Sequence, residues 1–104
     1  MSISKTLTAS GQVAVAASVV FGITVTTFID PSAAPPSLPL MISLHDEATN
    51  AGAGPVLCRI LMEPSGQKPT QQVLFPAGLR LLKGISIMVV AGGHPNFTVS
   101  VDYS

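Results

Sequence analysis

Apolar and polar residues alternate with a period of two through most of this chain, and its last stretch shows the pattern best. Phe97, Val99, Val101 and Tyr103 fall on one side of the alternation, and Asn96, Thr98, Ser100 and Asp102 on the other. Successive side chains of a pleated strand point to opposite faces, so this spelling describes a half-buried strand. The same period predicts an opening strand over Ile3 to Thr8, with Ile3, Lys5 and Leu7 against Ser4, Thr6 and Thr8. Gln12 to Ala17 follows, with Val13 and Val15 inward. Val19 to Phe28 is a long β-branched stretch, with Val19, Phe21, Ile23 and Val25 on one face and Val20, Gly22, Thr24 and Thr26 on the other. Leu38 to His45 sets Leu38, Leu40, Ile42 and Leu44 inward, and Met41, Ser43 and His45 outward. In Val56 to Glu63, one face carries Val56, Cys58, Ile60 and Met62. Its other face, Leu57, Arg59, Leu61 and Glu63, is only half polar, which points to contact with a partner. Thr70 to Phe75 turns Val73 and Phe75 inward, and Leu79 to Leu82 is a separate short piece. In Ile85 to Ala91, Ile85, Ile87 and Val89 oppose Ser86, Met88 and Val90.

The breaks fall where turn chemistry is concentrated. Ser10-Gly11, Pro64 to Pro69, Pro76-Ala77-Gly78 and Gly92-Gly93-His94-Pro95 read as turns or kinks. Asp30 to Pro39 holds Pro31, Pro35, Pro36 and Pro39, whose missing N–H groups exclude a central strand there. Asp46 to Pro55 is a second loop, rich in Ala, Gly and Asn. No stretch keeps helical spacing for three turns. Eight or nine short strands with turn signals about every ten residues predict one all-β domain over 1–104, an antiparallel sandwich, with 1–8 as an N-terminal arm or an edge strand.

Composition adds a bias toward association. Charged residues are 10% of the 104, against about 25% in an ordinary soluble domain. The surface must therefore be covered by Ser, Thr, Gln, Pro, Gly and exposed aliphatics, and large apolar patches usually mark partner contacts. Five Lys and Arg balance five Asp and Glu. Lys5, Arg59, Lys68, Arg80 and Lys83 are scattered, which excludes direct nucleic-acid binding, since that needs clustered cations to neutralise phosphates. Thr6 to Ile29 is uncharged, but its apolar residues alternate and hydroxyls interrupt them, so it reads as strands and no membrane span is expected. The stretch before Ala14-Val15-Ala16 is too polar for a secretory signal, and no targeting segment is expected.

The chemistry-bearing residues are sparse. Cys58 shares the inward face of its strand and reads as a small buried hydrophobe. His45-Asp46-Glu47 is the densest polar cluster. His45 and Glu47 share a face of an extended chain and could offer two metal ligands, with His94 or Asp30 brought in by the fold. The favoured reading is a strand end entering a solvated loop. No carboxylate pair, nucleophile elbow or phosphate-cradling loop is present, because Gly52-Ala53-Gly54 and Gly92-Gly93 have no helix to enter. Asn96-Phe97-Thr98 matches the glycosylation sequon, but inside a strand. The expectation is a non-enzyme with no metal and no cofactor.

Five segments, in order, carry a resemblance. They are Leu7-Thr8-Ala9-Ser10-Gly11 into Val13-Ala14-Val15, Val20-Phe21-Gly22-Ile23-Thr24-Val25, Leu44-His45-Asp46-Glu47-Ala48 with Gly52-Ala53-Gly54-Pro55-Val56-Leu57, Phe75-Pro76-Ala77-Gly78-Leu79 with Lys83-Gly84-Ile85, and Phe97 to Tyr103. Together they resemble the small β-sandwich or jelly-roll structural proteins of tailed-bacteriophage virions, the capsid decoration or cement proteins and related components. The resemblance implies a jelly-roll-like sandwich made in the host cytoplasm and carried on the capsid surface. It would bind the major capsid protein or other virion proteins and its own copies, most simply in threes. The residues that fall outside the inward alternation or in the arm and loops are the candidate contacts: Ile3, Lys5, Leu7, Pro35, Pro36, Leu57, Leu61 and Met88. An arm at 1–8 would add a strand to a neighbour's sheet edge. The alternative is a ligand- or glycan-binding sandwich of a phage fibre, tail or baseplate. That role calls for exposed aromatics, whereas the alternation turns most of the aromatics here inward.

Overall fold

The computed structural model describes residues 3–28, 38–49, 54–62, 70–90 and 96–104. They form eight strands: β1 (Ile3–Leu7), β2 (Gly11–Ala14), β3 (Ser18–Phe28), β4 (Leu40–Asp46), β5 (Val56–Met62), β6 (Thr70–Leu81), β7 (Ile85–Val90) and β8 (Asn96–Tyr103). Pro35, Pro36, Asp30, Glu63, Lys68 and His94 lie outside the described residues, as do most of the proline-rich loop and the Pro64 to Pro69 turn.

Every pairing is antiparallel, and the pairs nest: β1 with β8, β2 with β7, β3 with β6, β4 with β5. The chain is thus folded in half and then wound, so that β3 also meets β8 and β4 also meets β7. Two four-stranded sheets result, ordered β1-β8-β3-β6 (sheet A) and β2-β7-β4-β5 (sheet B). This is the winding of a jelly roll, and it bears out the sandwich expected from the alternation. The core lies between the sheets. Val20, Ile23, Val25, Val99 and Val101 come from sheet A, and Leu40, Ile42, Leu44, Ile85 and Ile87 from sheet B. Burying a side chain of this kind stabilises the fold by about 1.5–3 kcal/mol.

Four inward assignments fail, each for a local reason. Val56, set with Cys58, Ile60 and Met62, is 41% exposed and pairs with outward His45, because the extra residue Leu57 reverses the alternation there. In β3, Val20 faces Tyr103 while Gly22 faces Asp102, so Phe21 is an extra residue in a bulge. A one-residue insertion reverses the alternation. Val20 is therefore fully buried, and Phe21, expected inward, is 38% exposed. On the other flank Val20 faces Leu79 and Gly22 faces Leu74, so the residues between swing out of register. Gly78 sits there at φ +81°, where a Cβ would lie 2.5 Å from Val19 Cγ1. The Pro76-Ala77-Gly78 kink consequently lies inside one strand, β6, rather than between two. Proline is tolerated because β6 is an edge. Val15 and Leu38 are exposed rather than inward because each lies just beyond a strand end, after β2 and before β4.

Candidate functional site

The two sheets present very different outer faces. On sheet B the register puts Met41, Ser43 and His45 of the central strand β4 on the outer face, as the alternation predicts, but Ser43 and His45 are buried there. The register places Met41 between Val90 of β7 and Leu61 of β5. This makes one apolar row across three strands, with Val90 55% and Leu61 50% exposed. The next row sets Ser43 between Met88 and Arg59. Leu57, the unpaired residue of a bulge between Val56 and Cys58, is exposed further along β5. Three of the expected contact residues, Leu57, Leu61 and Met88, therefore belong to one face. Met41 and Val90 complete it. Arg59 is the one charged side chain in these two rows.

The β1 candidates behave differently. The residues expected as an arm form an edge strand paired with β8 from Ile3 to Leu7. Lys5 Nζ donates to the Gln12 carbonyl at 3.0 Å, and Leu7 packs against the protein's own core. Ile3 is 54% exposed. An inward lysine on a short edge strand is a device against strand addition. The other three edges carry their own. β2 is four residues long with a register break, β5 has the Leu57 bulge and gives its Leu61 carbonyl to Gln71 Nε2 at 2.9 Å, and β6 has Pro76. All four sheet edges thus offer little to a further strand.

His45, Asp46 and Glu47 are absorbed into closing one end of sheet B. Asp46 Oδ1 accepts from the backbone N–H of Lys83 at 2.8 Å and of Gly84 at 3.4 Å, and Oδ2 accepts from that of Leu82 at 3.1 Å. The Lys83 N–H, above all, holds the Asp46 carboxyl below the usual carboxylate range. Gly54 N–H donates to Glu47 Oε2 at 2.8 Å. His45 Nδ1 lies 2.9 Å from the Gly54 carbonyl, which can only accept, so this nitrogen carries the proton. Gln12 Nε2 reaches three carbonyls, of Ala14 (2.6 Å), Ile85 (2.8 Å) and Glu47 (3.0 Å). Gly84 has no room for a side chain, because a Cβ would stand 2.5 Å from the Ala14 oxygen and 2.8 Å from that of Glu47.

His45 and Glu47 are both tied to the Gly54 backbone and Asp46 to that of Leu82 to Gly84, and no group of three or more metal-ligating side chains exists among the described residues. Cys58 is half-buried at the core margin, and burial pushes its thiol up, which suits a packing residue rather than a nucleophile. No helix among the described residues is long and apolar enough to cross a membrane. Comparisons of the chain with protein-family models, with curated proteins and with solved structures find no match.

Proposed function

We propose that this chain is a non-catalytic structural protein of a tailed-bacteriophage virion, of the capsid decoration or cement type, which docks through the outer face of sheet B. The observation that carries the reading is the apolar row Val90–Met41–Leu61, in register across three strands and flanked by Met88 and Leu57. Solvated sheet faces alternate apolar-in and polar-out, and a contiguous apolar row on the outside marks a contact surface. The guarded edges support a protein that adds to a lattice by its face. The order of segments, which resembles that of phage structural proteins, supports the virion setting, the capsid surface and the association in threes. The mechanism is mechanical: each copy buries a modest patch against capsid subunits and its own copies, and symmetry multiplies weak contacts into durable attachment.

The test is sedimentation of purified protein with expanded empty heads, followed by mass spectrometry of virions. Co-sedimentation that saturates at a fixed ratio to the capsid subunit, and is lost in a Leu61→Glu chain, is the expected outcome. Absence from both heads and virions refutes the reading.

A further inference from the structure

A second surface lies at the far end of sheet A and takes no part in the apolar face. Phe28 closes β3 and stands directly opposite Asn96, the first residue of β8. Their neighbours Thr27 and Phe97 are buried, so Phe28 and Asn96 point outward, and Phe28 is 53% exposed. Beside them opens a groove of about 410 Å³ whose described lining is Thr8, Phe28, Asn96, Phe97 and Thr98. That volume falls in the lower part of the range of small-molecule sites, about 300–1,000 Å³. Phe97 belongs to the core and gives the groove a rigid apolar wall.

The lining has a specific chemistry. Among the described residues its lining holds no ionisable side chain. Its polar groups, one amide and two hydroxyls, each donate and accept. None of Thr8, Asn96 and Thr98 spends its side chain on a hydrogen bond within the described residues. Among these residues an anionic guest would find no cation, and a cationic guest no carboxylate. A wholly apolar guest would cover three polar groups without pairing them, which is costly. A sugar ring meets every requirement: its C–H face rests on an aromatic ring and its rim of hydroxyls both donates and accepts.

We infer that this groove binds a neutral saccharide of one or two rings, with Phe28 as the stacking platform and Asn96, Thr8 and Thr98 as the hydrogen-bonding rim. The inference stands apart from the assembly reading, since none of these residues is on sheet B. Sequence reasoning missed the platform because it turned most aromatics inward.

The experiment is a titration of ¹⁵N-labelled protein followed by NMR. The probes are methyl glucoside, methyl galactoside, N-acetylglucosamine, maltose and lactose, with glucose 6-phosphate and glucosamine as charged counterparts. At least one neutral sugar should give saturable shifts centred on Thr8, Phe28, Asn96 and Thr98, and its charged counterpart should bind more weakly. Phe28→Ala should weaken that binding by about tenfold or more, and Phe28→Trp should retain it. Asn96→Ala, at an exposed strand start, gives a second reading of the same loss. No saturable shift from any neutral probe at tens of millimolar, shifts centred elsewhere, or undiminished binding by the Phe28→Ala and Asn96→Ala chains would overturn the inference.

Discussion

The outer faces of sheets A and B have the same strand count and the same antiparallel pairing, yet they are opposite in character. Sheet A presents a grid. Ser4, Asp102, Gly22 and Leu74 form one row, Thr6, Ser100, Thr24 and Gln72 the next, and Thr98, Thr26 and Thr70 a third. The hydroxyls bond among themselves, with Thr6 Oγ1 and Ser100 Oγ 2.9 Å apart and Gln72 Nε2 donating to Thr24 Oγ1 at 3.3 Å. Sheet B presents the Val90–Met41–Leu61 row, with Ser43 and Arg59 in the next row. A low-charge chain can therefore cover most of one face with neutral hydroxyls, Leu74 and Phe28 apart, and set apolar side chains in register on the other. The polarity of the molecule as a whole says little. Its partition between two faces is what the proposed docking reading rests on.

The largest effect is expected where sheet B is closed. Gln12→Leu keeps the bulk but leaves the carbonyls of Ala14, Glu47 and Ile85 without their shared donor. Leaving buried acceptors unpaired costs about 1–3 kcal/mol each, so a loss of about 2–4 kcal/mol is expected in urea unfolding. Amide exchange should speed up in β2 and β7 more than in β3 and β8. Uniform acceleration across both sheets would show that the two faces are not independently held.

Next comes the face itself. Leu61→Glu puts a carboxylate into the apolar row, and the same change at Thr26 puts one into the grid. Charge in the row should weaken self-association by at least about tenfold in light scattering, which is about 1.4 kcal/mol, while charge in the grid should leave it nearly unchanged. Equal effects at both positions would erase the contrast between the faces.

The sequence reads well where neighbours decide and poorly where pairing decides. In β8, in β4 and in β5 beyond its Leu57 bulge the alternation sorts the residues, and Val99, Val101, Ile42 and Ile60 are buried as their spelling implies. Leu57, Leu61 and Met88 were legible as outward apolar residues because they are apolar letters in polar slots. Met41 and Val90 sit in the same slots, but joining them to Leu61 requires the register of three strands, which no local pattern carries. Val19-Val20-Phe21 is apolar throughout, so either phase spells a good strand and the bulge leaves no mark. Asp46 finds its partners 36 to 38 residues away, and a cluster read locally shows only its charge.

That carboxylate supplies a smaller, pH-dependent effect on sheet B alone. Its folded pKa lies below the ordinary 3.8 because the Lys83 N–H, foremost, stabilises the charged form. A depressed pKa contributes stability that is complete above the ordinary value and is lost as pH falls from there through the folded one. Wild type should therefore exceed Asp46→Asn in stability at neutral pH, and the gap should close as pH is lowered below about 4. A gap that stays constant between pH 6 and pH 2, in paired thermal melts, would mean the carboxylate acts by shape rather than charge.

The smallest change in stability belongs to sheet A and tests the contrast most sharply. Thr24→Val with Thr26→Val keeps β-branching and volume at two adjacent grid positions, and the outward hydroxyls lost there are half-exposed. Because valine fits the pleat as well as threonine, unfolding free energy should move by no more than about 0.5 kcal/mol. The one bond sacrificed is the long one from Gln72 to Thr24. Association should nonetheless rise, because the grid would gain an apolar centre like that of sheet B. If the double variant remained as dispersed as wild type at high concentration, hydroxyl content would not be what keeps sheet A in water. The apolar row of sheet B would then need a property beyond exposure, such as its straight register across three strands, to act as a docking face.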